Sequence, residues 1–170
     1  MTEHEAVLAW VGIGSNLDDP AGRVRAALDA LAGLSAARLA ARSSLYLNPP
    51  MGDPDQPDYV NAVAALETRL APLEMLAALQ EIETRHGRRR NGRRWEARVL
   101  DLDLLLHGDS VLASPELTLP HPGVPIRSFV LYPLAELSPG LVVPGHGRVD
   151  SLLAGVDCSG LRRIDRVASR

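Results

Sequence analysis

A chain of 170 residues and 18.3 kDa with 46% hydrophobic residues is sized for one compact domain, residues 1–170, with a substantial core. No apolar run approaches the roughly 20 residues that span a bilayer, and Met1-Thr-Glu-His-Glu-Ala lacks the basic start and apolar stretch of a secretory leader. A net charge of −3 gives no global attraction to nucleic acid or an anionic membrane, and the single cysteine, Cys158, cannot close an internal disulfide, so a cytoplasmic protein acting on neither is expected.

In chain order, residues 6–13 read as a buried first strand ending in Gly14-Ser15-Asn16. Gly14 serves a turn on the simpler reading; on the other, the turn holds an anion. Asp19-Pro20 is an N-cap followed by proline at the first helical position. The helix it opens runs to about Leu34, with Val24, Leu28 and Leu31 on one face. Residues 38–47 form a second strand, closed by Asn48-Pro49-Pro50, and a Pro/Gly/Asp-rich loop extends to about Asp58. From Tyr59 to Thr68, Val60, Ala62, Ala64 and Leu66 alternate with Tyr59, Asn61, Val63 and Ala65, the pattern of a third strand. Asparagine is disfavoured inside a strand, so Asn61 either bonds a neighbouring loop or recognises a ligand. Pro72 opens a second helix that Gly87 ends.

Seven of the chain's arginines (Arg85, Arg88, Arg89, Arg90, Arg93, Arg94, Arg98) fall within fourteen residues, with Trp95 among them. All 18 basic residues are arginine. Without lysine there is no P-loop, and phosphate contacts fall to arginine forks. The loop is either a solvated charge run or a lid that closes over a planar, anionic ligand. It leads into Arg98-Val-Leu-Asp-Leu-Asp-Leu-Leu-Leu-His-Gly108. Alternation along this fourth strand puts Asp101 and Asp103 on one face, about 7 Å apart, and Leu100, Leu102 and Leu104 on the other. Two neighbouring carboxylates repel each other and favour a cation, which a pair of divalent metals supplies. The alternative is an idle edge strand with a solvated face.

Beyond it lie a turn at Gly108-Asp109, a short strand at Ser110–Ala113, and His121 between two prolines, a structural corner or a positioned ligand contact. A helix follows over Arg127–Leu137, then a Pro/Gly-rich tail with a short helix near Asp150–Ala154 and a basic end. The order strand–helix–strand–strand–helix–strand is a ferredoxin-like βαββαβ core of the α+β class. It implies a mainly antiparallel sheet flanked by helices, with extra strands and helices. The Pro-rich loop, the Arg/Trp loop and the two aspartates gather around one site.

Taken together, these segments resemble the 6-hydroxymethyl-7,8-dihydropterin pyrophosphokinase family. The resemblance rests on Gly14-Ser-Asn, Tyr46-Leu-Asn-Pro-Pro-Met-Gly, Gln56-Pro-Asp-Tyr-Val-Asn61, Gly87-Arg88, Arg94-Trp95, Arg98-Val-Leu-Asp-Leu-Asp103, Pro120-His121 and Arg127-Ser-Phe129. It implies a monomeric enzyme that transfers pyrophosphate from ATP to the hydroxymethyl group of 6-hydroxymethyl-7,8-dihydropterin, releasing AMP, in folate biosynthesis. Asp101 and Asp103 then hold two Mg²⁺ ions, with Arg88 and Arg98 in the catalytic set and Arg88 and Trp95 in a closing lid. ATP contacts fall to Gln80, Glu83, Arg90, Arg94, Trp95, Arg98, Leu104, Thr118, His121 and Arg127. Tyr59 and Phe129 sandwich the pterin, Asn61 reads its polar edge, backbone groups of Asn48, Pro49 and Met51 do likewise, and Trp95 closes over it. Asn48 stands where threonine is frequent in the family, Pro122 where some members have an aromatic, and Glu116 where some have a basic residue. Two other readings compete: an RNA-binding split-βαβ module, disfavoured by an aromatic content of 4% and a negative charge, and an Asp-x-Asp metal-dependent nucleotide transferase, which generally needs a larger nucleotide-binding domain.

Overall fold

The computed structural model describes residues 5–50, 54–87 and 100–165. Its elements are β1 (Val7–Ser15), α1 (Pro20–Ala32), β2 (Ala37–Arg42), β3 (Leu45–Asn48), β4 (Tyr59–Thr68), α2 (Pro72–Arg85), β5 (Asp101–His107), β6 (Leu112–Ala113), β7 (Thr118–Leu119), α3 (Ser128–Leu137), β8 (Val142–Val143), β9 (Gly147–Arg148), α4 (Val149–Leu153) and β10 (Arg162–Asp165). The expected helix starts hold. The Asp19 carboxylate accepts the Gly22 N–H at 3.2 Å, and the Glu74 carboxylate accepts the Ala71 N–H at 2.9 Å, each ahead of or within a first turn opened by proline.

The main sheet runs β10-β3-β4-β1-β5 with β2 also beside β4, and every pairing is antiparallel. That is the βαββαβ arrangement, with two departures. The strand expected over residues 38–47 is broken at Ser43-Ser44. Ser43 Oγ accepts the Val63 N–H at 2.9 Å while its own N–H reaches the Val63 carbonyl at 2.8 Å. This staple sends β2 along the Ala64–Thr68 half of β4 and β3 along Tyr59–Asn61. In addition, the tail returns as β10 against β3, a strand that no apolar alternation announces.

Alternation sorts the sheet's two faces. Val11 and Ile13, Val60, Ala62, Ala64 and Leu66, and Leu100, Leu102 and Leu104 pack with Leu28 and Leu31 of α1 and Met75, Leu79 and Ile82 of α2. Trp10, Val63, Ala65, Leu105 and Leu106 pack on the other face against Val130, Leu131 and Leu134 of α3 and Val149 of α4. Trp10 pairs with Leu106 but Val11 with Leu104, so Leu105 is an extra residue on β5. The bulge turns Leu105 and Leu106 to the same side, and beyond it His107 Nε2 lies 2.8 Å from the Leu70 carbonyl. Helices α3 and α4 cover only part of this second face, leaving open the end where β4, β1 and β5 carry Asn61, Gly14 and Asp101. Among the described residues no helix is long and apolar enough to cross a membrane.

Candidate active site

Asn61, Gly14 and Asp101 occupy one cross-strand row of β4, β1 and β5, and Val63, Gly12 and Asp103 the next. The two aspartates share a face, as their spacing predicts, and the leucines between and after them are buried on the opposite one. Gly14 lies within β1 rather than in a turn, which corrects the simpler reading of the sequence. Its role is spatial: a Cβ there would sit 2.8 Å from Asn61 Oδ1. The strand must be bare at this point for the Asn61 amide to lie across it.

Above these rows is a cavity of about 260 Å³ lined by Gly12, Gly14, Asn48, Tyr59, Asn61, Asp101, Asp103, Leu105, Arg127, Phe129 and Val130, among others. Its amide side is internally fixed. Asn61 Nδ2 donates to Asn48 Oδ1, and Asn48 Nδ2 donates to the Pro49 carbonyl at 3.0 Å. The Asn61 amide is thereby oriented, with Oδ1 left over Gly14. Nearby, the buried Asn16 donates to Gln56 Oε1 and the Pro57 carbonyl, each at 3.2 Å, tying the Pro-rich loop to the end of β1. Asn16, the last residue of Gly14-Ser15-Asn16, therefore serves as an anchor for that loop.

The opposite wall is the start of α3. Arg127 sits before its first turn with its guanidinium 5.8 Å from the centre of the Phe129 ring. Gly123 makes room for it, since a Cβ there would lie 2.7 Å from Arg127 Nε. That Nε is buried with no hydrogen-bond partner among the described residues. A buried guanidinium N–H without a partner is costly, and an anion at this point would satisfy it. His121 approaches from the free edge of β5, its N–H bonded to the Leu105 carbonyl at 2.9 Å. His121 Nδ1 accepts the Gly123 N–H at 2.9 Å, which puts the proton of the neutral ring on Nε2. Burial, the largest influence, and the Arg127 charge lower the His121 pKa against an upward pull from Asp103. The ring is thus held neutral as a donor.

Of the residues expected to form the site, Asn48, Tyr59, Asn61, Asp101, Asp103, Arg127 and Phe129 line the cavity. Gln80 and Glu83 do not: they lie on α2, across the sheet. Glu83 is buried there, and its carboxylate accepts the Leu102 N–H at 2.8 Å, holding the edge strand between its two aspartates. The Leu104 side chain is buried among the α1 and α2 contacts, so any meeting with a nucleotide falls to its backbone. Thr118 is exposed on β7. Met51, Arg88, Arg90, Arg94, Trp95 and Arg98 lie outside the described residues. The sequence reading missed Gly12, Leu105 and Val130, because a small floor and an apolar back wall carry no chemical signature. Cys158 takes no part; burial, foremost, and Asp157 raise its thiol pKa, as suits an unreactive group.

Residues 10–139 match the family model described as 7,8-dihydro-6-hydroxymethylpterin-pyrophosphokinase (HPPK). A Pseudomonas aeruginosa protein named 2-amino-4-hydroxy-6-hydroxymethyldihydropteridine pyrophosphokinase is 48% identical over 155 residues, covering 91% of this chain and 95% of that protein. A Haemophilus influenzae protein of the same name is 45% identical over 147 residues, covering 86% and 91%. Among solved structures, Plasmodium falciparum HPPK-DHPS with pteroate superposes with a TM-score of 0.71 at 14% identity, over 91% of this chain. The match spans only 43% of that longer chain, and at this identity it speaks to the fold alone.

Proposed function

The chain belongs to the 7,8-dihydro-6-hydroxymethylpterin-pyrophosphokinase family and is an enzyme, and we propose that it transfers the β,γ-pyrophosphoryl group of ATP to the hydroxymethyl oxygen of 6-hydroxymethyl-7,8-dihydropterin, releasing AMP, in folate synthesis. The observation that carries this reading is the single cavity that joins an acid row to an amide and aromatic row across two glycines. A flat pterin with a donor and acceptor edge suits the aromatic rings of Tyr59 and Phe129 together with the oriented Asn61 amide. Asn61 Oδ1 is the atom left to accept from the pterin's N–H edge.

The acid row suits magnesium. Among the described residues no group of three or more His, Cys, Asp or Glu could hold a metal alone. Magnesium commonly takes one or two carboxylates and completes its shell with substrate phosphates and water. Asp101 and Asp103 would hold two such ions, whose chemistry is to neutralise phosphate charge. The remaining work falls to the protein's own groups. Arg127 turns its Nε–H, which has no partner among the described residues, toward a phosphate oxygen, and His121 donates from Nε2. Arg90, Arg94, Trp95 and Arg98 would add contacts to ATP, and Arg88 and Trp95 a lid that excludes water. The hydroxymethyl oxygen attacks the β-phosphorus, the bond from that phosphorus to the oxygen it shares with the α-phosphate breaks, AMP departs carrying that oxygen, and the hydroxyl proton leaves to solvent. No protein nucleophile is needed, so alignment and charge stabilisation supply the rate.

The test is incubation with ATP, Mg²⁺ and the hydroxymethyl-dihydropterin. AMP should form in step with pterin consumed. ADP as product, or nucleotide turnover without the pterin, would overturn the proposal.

A further inference from the structure

A polar cluster behind the cavity belongs to none of the roles above. The Glu136 carboxylate, near the end of α3, accepts the Ser44 N–H at 3.1 Å, the Ser44 hydroxyl at 3.0 Å and the Tyr46 hydroxyl. Arg163 of β10 donates to the Tyr46 hydroxyl at 3.2 Å and lies 5.6 Å from the centre of its ring, while Tyr132 meets that ring edge-on at 5.5 Å. Tyr46 is buried, at 1% exposure. One carboxylate thus fastens α3 to β3, and β10 closes over the joint.

The spacing of these residues ties the joint to the cavity. Glu136 follows Phe129 by seven residues, two turns along one face of α3 and about 10 Å along its axis. Tyr46 precedes Asn48 by two on β3, on the same strand face and about 7 Å away. Two rungs therefore span the same pair of elements. One is the Glu136–Tyr46 bond; the other is the opening between Phe129 and the Asn48–Asn61 amides. Pro133 lacks the N–H that the Phe129 carbonyl would otherwise accept, so the turn that carries Phe129 is fixed less by the helix's own ladder than by the contacts that seat α3 on the sheet. The pose of Phe129 then depends on how α3 is held from its far end.

We propose that Glu136, acting through Tyr46 and Ser44, is a positioning residue that sets the width of the pterin slot; this rests on the pterin reading of the cavity given above. Neither Glu136 nor Tyr46 lines the cavity. Their effect should fall on the half of the reaction that Phe129 and Asn61 serve, and spare the ATP half at β5.

The experiment measures dihydropterin affinity by fluorescence titration, KM for each substrate, kcat and thermal midpoint, in the wild type and in Glu136→Ala, Glu136→Gln and Tyr46→Phe. Glu136→Ala should weaken pterin binding about tenfold with little change in KM for ATP, since misplacement of an aligning group is felt at the site it aligns. Glu136→Gln, which keeps an acceptor, should recover much of the loss, and Tyr46→Phe should weaken pterin binding about threefold. A lowered thermal midpoint with unchanged pterin affinity would overturn the proposal and leave a purely structural joint; so would an equal loss in both substrates. If Glu136→Ala does not fold, Tyr46→Phe, which keeps the ring, distinguishes the same outcomes. A wild type that binds no pterin overturns the functional reading along with this one, whereas a wild type that binds it beside indifferent variants overturns this inference alone.

Discussion

The two sides of the cavity are built on opposite plans. The amide side is complete in itself: Asn61 is oriented by Asn48, Asn48 by the Pro49 carbonyl, and the Pro-rich loop by Asn16. The acid side leaves a group open among the described residues. Asp101 and Asp103 stand on one face of an edge strand, faced by an Arg127 whose Nε has no partner among the described residues. The first arrangement suits a neutral ligand recognised by shape, because fixed donors and acceptors discriminate without reorganising. The second suits a highly charged ligand that arrives with its own cations. Gly12 and Gly14 on β1 separate the two halves and let one cavity serve both.

Removing the charge on the acid side should have the largest effect. Asp101→Ala or Asp103→Ala should lower turnover about 10³-fold, the scale on which lost charge stabilisation is felt. Pterin binding measured by fluorescence, without nucleotide, should stay intact. Loss of pterin binding in these variants would mean that the two halves are not separate.

The divider itself comes next. Gly14→Ala places a methyl 2.8 Å from Asn61 Oδ1, while at Gly12 the nearest neighbour is a flexible Leu105 terminus at 3.4 Å. Overpacking of this kind costs about 1–3 kcal/mol, or roughly five- to 150-fold in affinity where the displaced group is the reader. Gly14→Ala should show that loss for the pterin and Gly12→Ala should show little. Equal effects in titrations of the two variants would place the pterin elsewhere on the floor.

A smaller effect is expected at Asn48. Asn48→Ala frees the Asn61 amide without removing it, and the loss of one hydrogen bond, about 1 kcal/mol, predicts roughly a fivefold rise in KM for the pterin at nearly constant kcat. Asn48→Thr should be milder, since a hydroxyl can still accept from Asn61. A change confined to kcat would show that Asn48 does not act through binding.

Much of this division was readable from the chain. The alternation of Val60, Ala62, Ala64 and Leu66 with Tyr59, Asn61, Val63 and Ala65 assigns β4's faces correctly, and the Asp101/Asp103 spacing does the same for β5. What escaped is what pattern does not encode. Gly14 looks like punctuation at a strand's end, and only the neighbouring strand reveals that Asn61 needs its emptiness. The Leu105 bulge hides in a run of three leucines, where either face is apolar. Residues 162–165 are nearly all charged, so β10 had no alternation to announce it. Glu136 keeps contact with solvent on a helix and reads as a surface charge until Ser44 and Tyr46, some ninety positions earlier, are brought beneath it.

The smallest expected effect tests the support behind the amide side. Burial, the largest influence, and the Glu136 carboxylate raise the Tyr46 pKa well above its ordinary value of 10.0, against a smaller downward pull from Arg163. The folded protein therefore keeps a proton that the unfolded chain gives up near pH 10. The stabilisation this provides is fully present below about pH 10 and drains away as pH rises toward the folded-state value, because the unfolded state is then the one that releases the proton. Urea midpoints taken from pH 8 upward should accordingly fall faster for the wild type above pH 10 than for Tyr46→Phe, with the two curves parallel below it. Parallel curves throughout would show that folding does not raise the phenol's pKa, so that neither burial nor the Glu136 carboxylate favours its protonated form at the joint between α3 and β3.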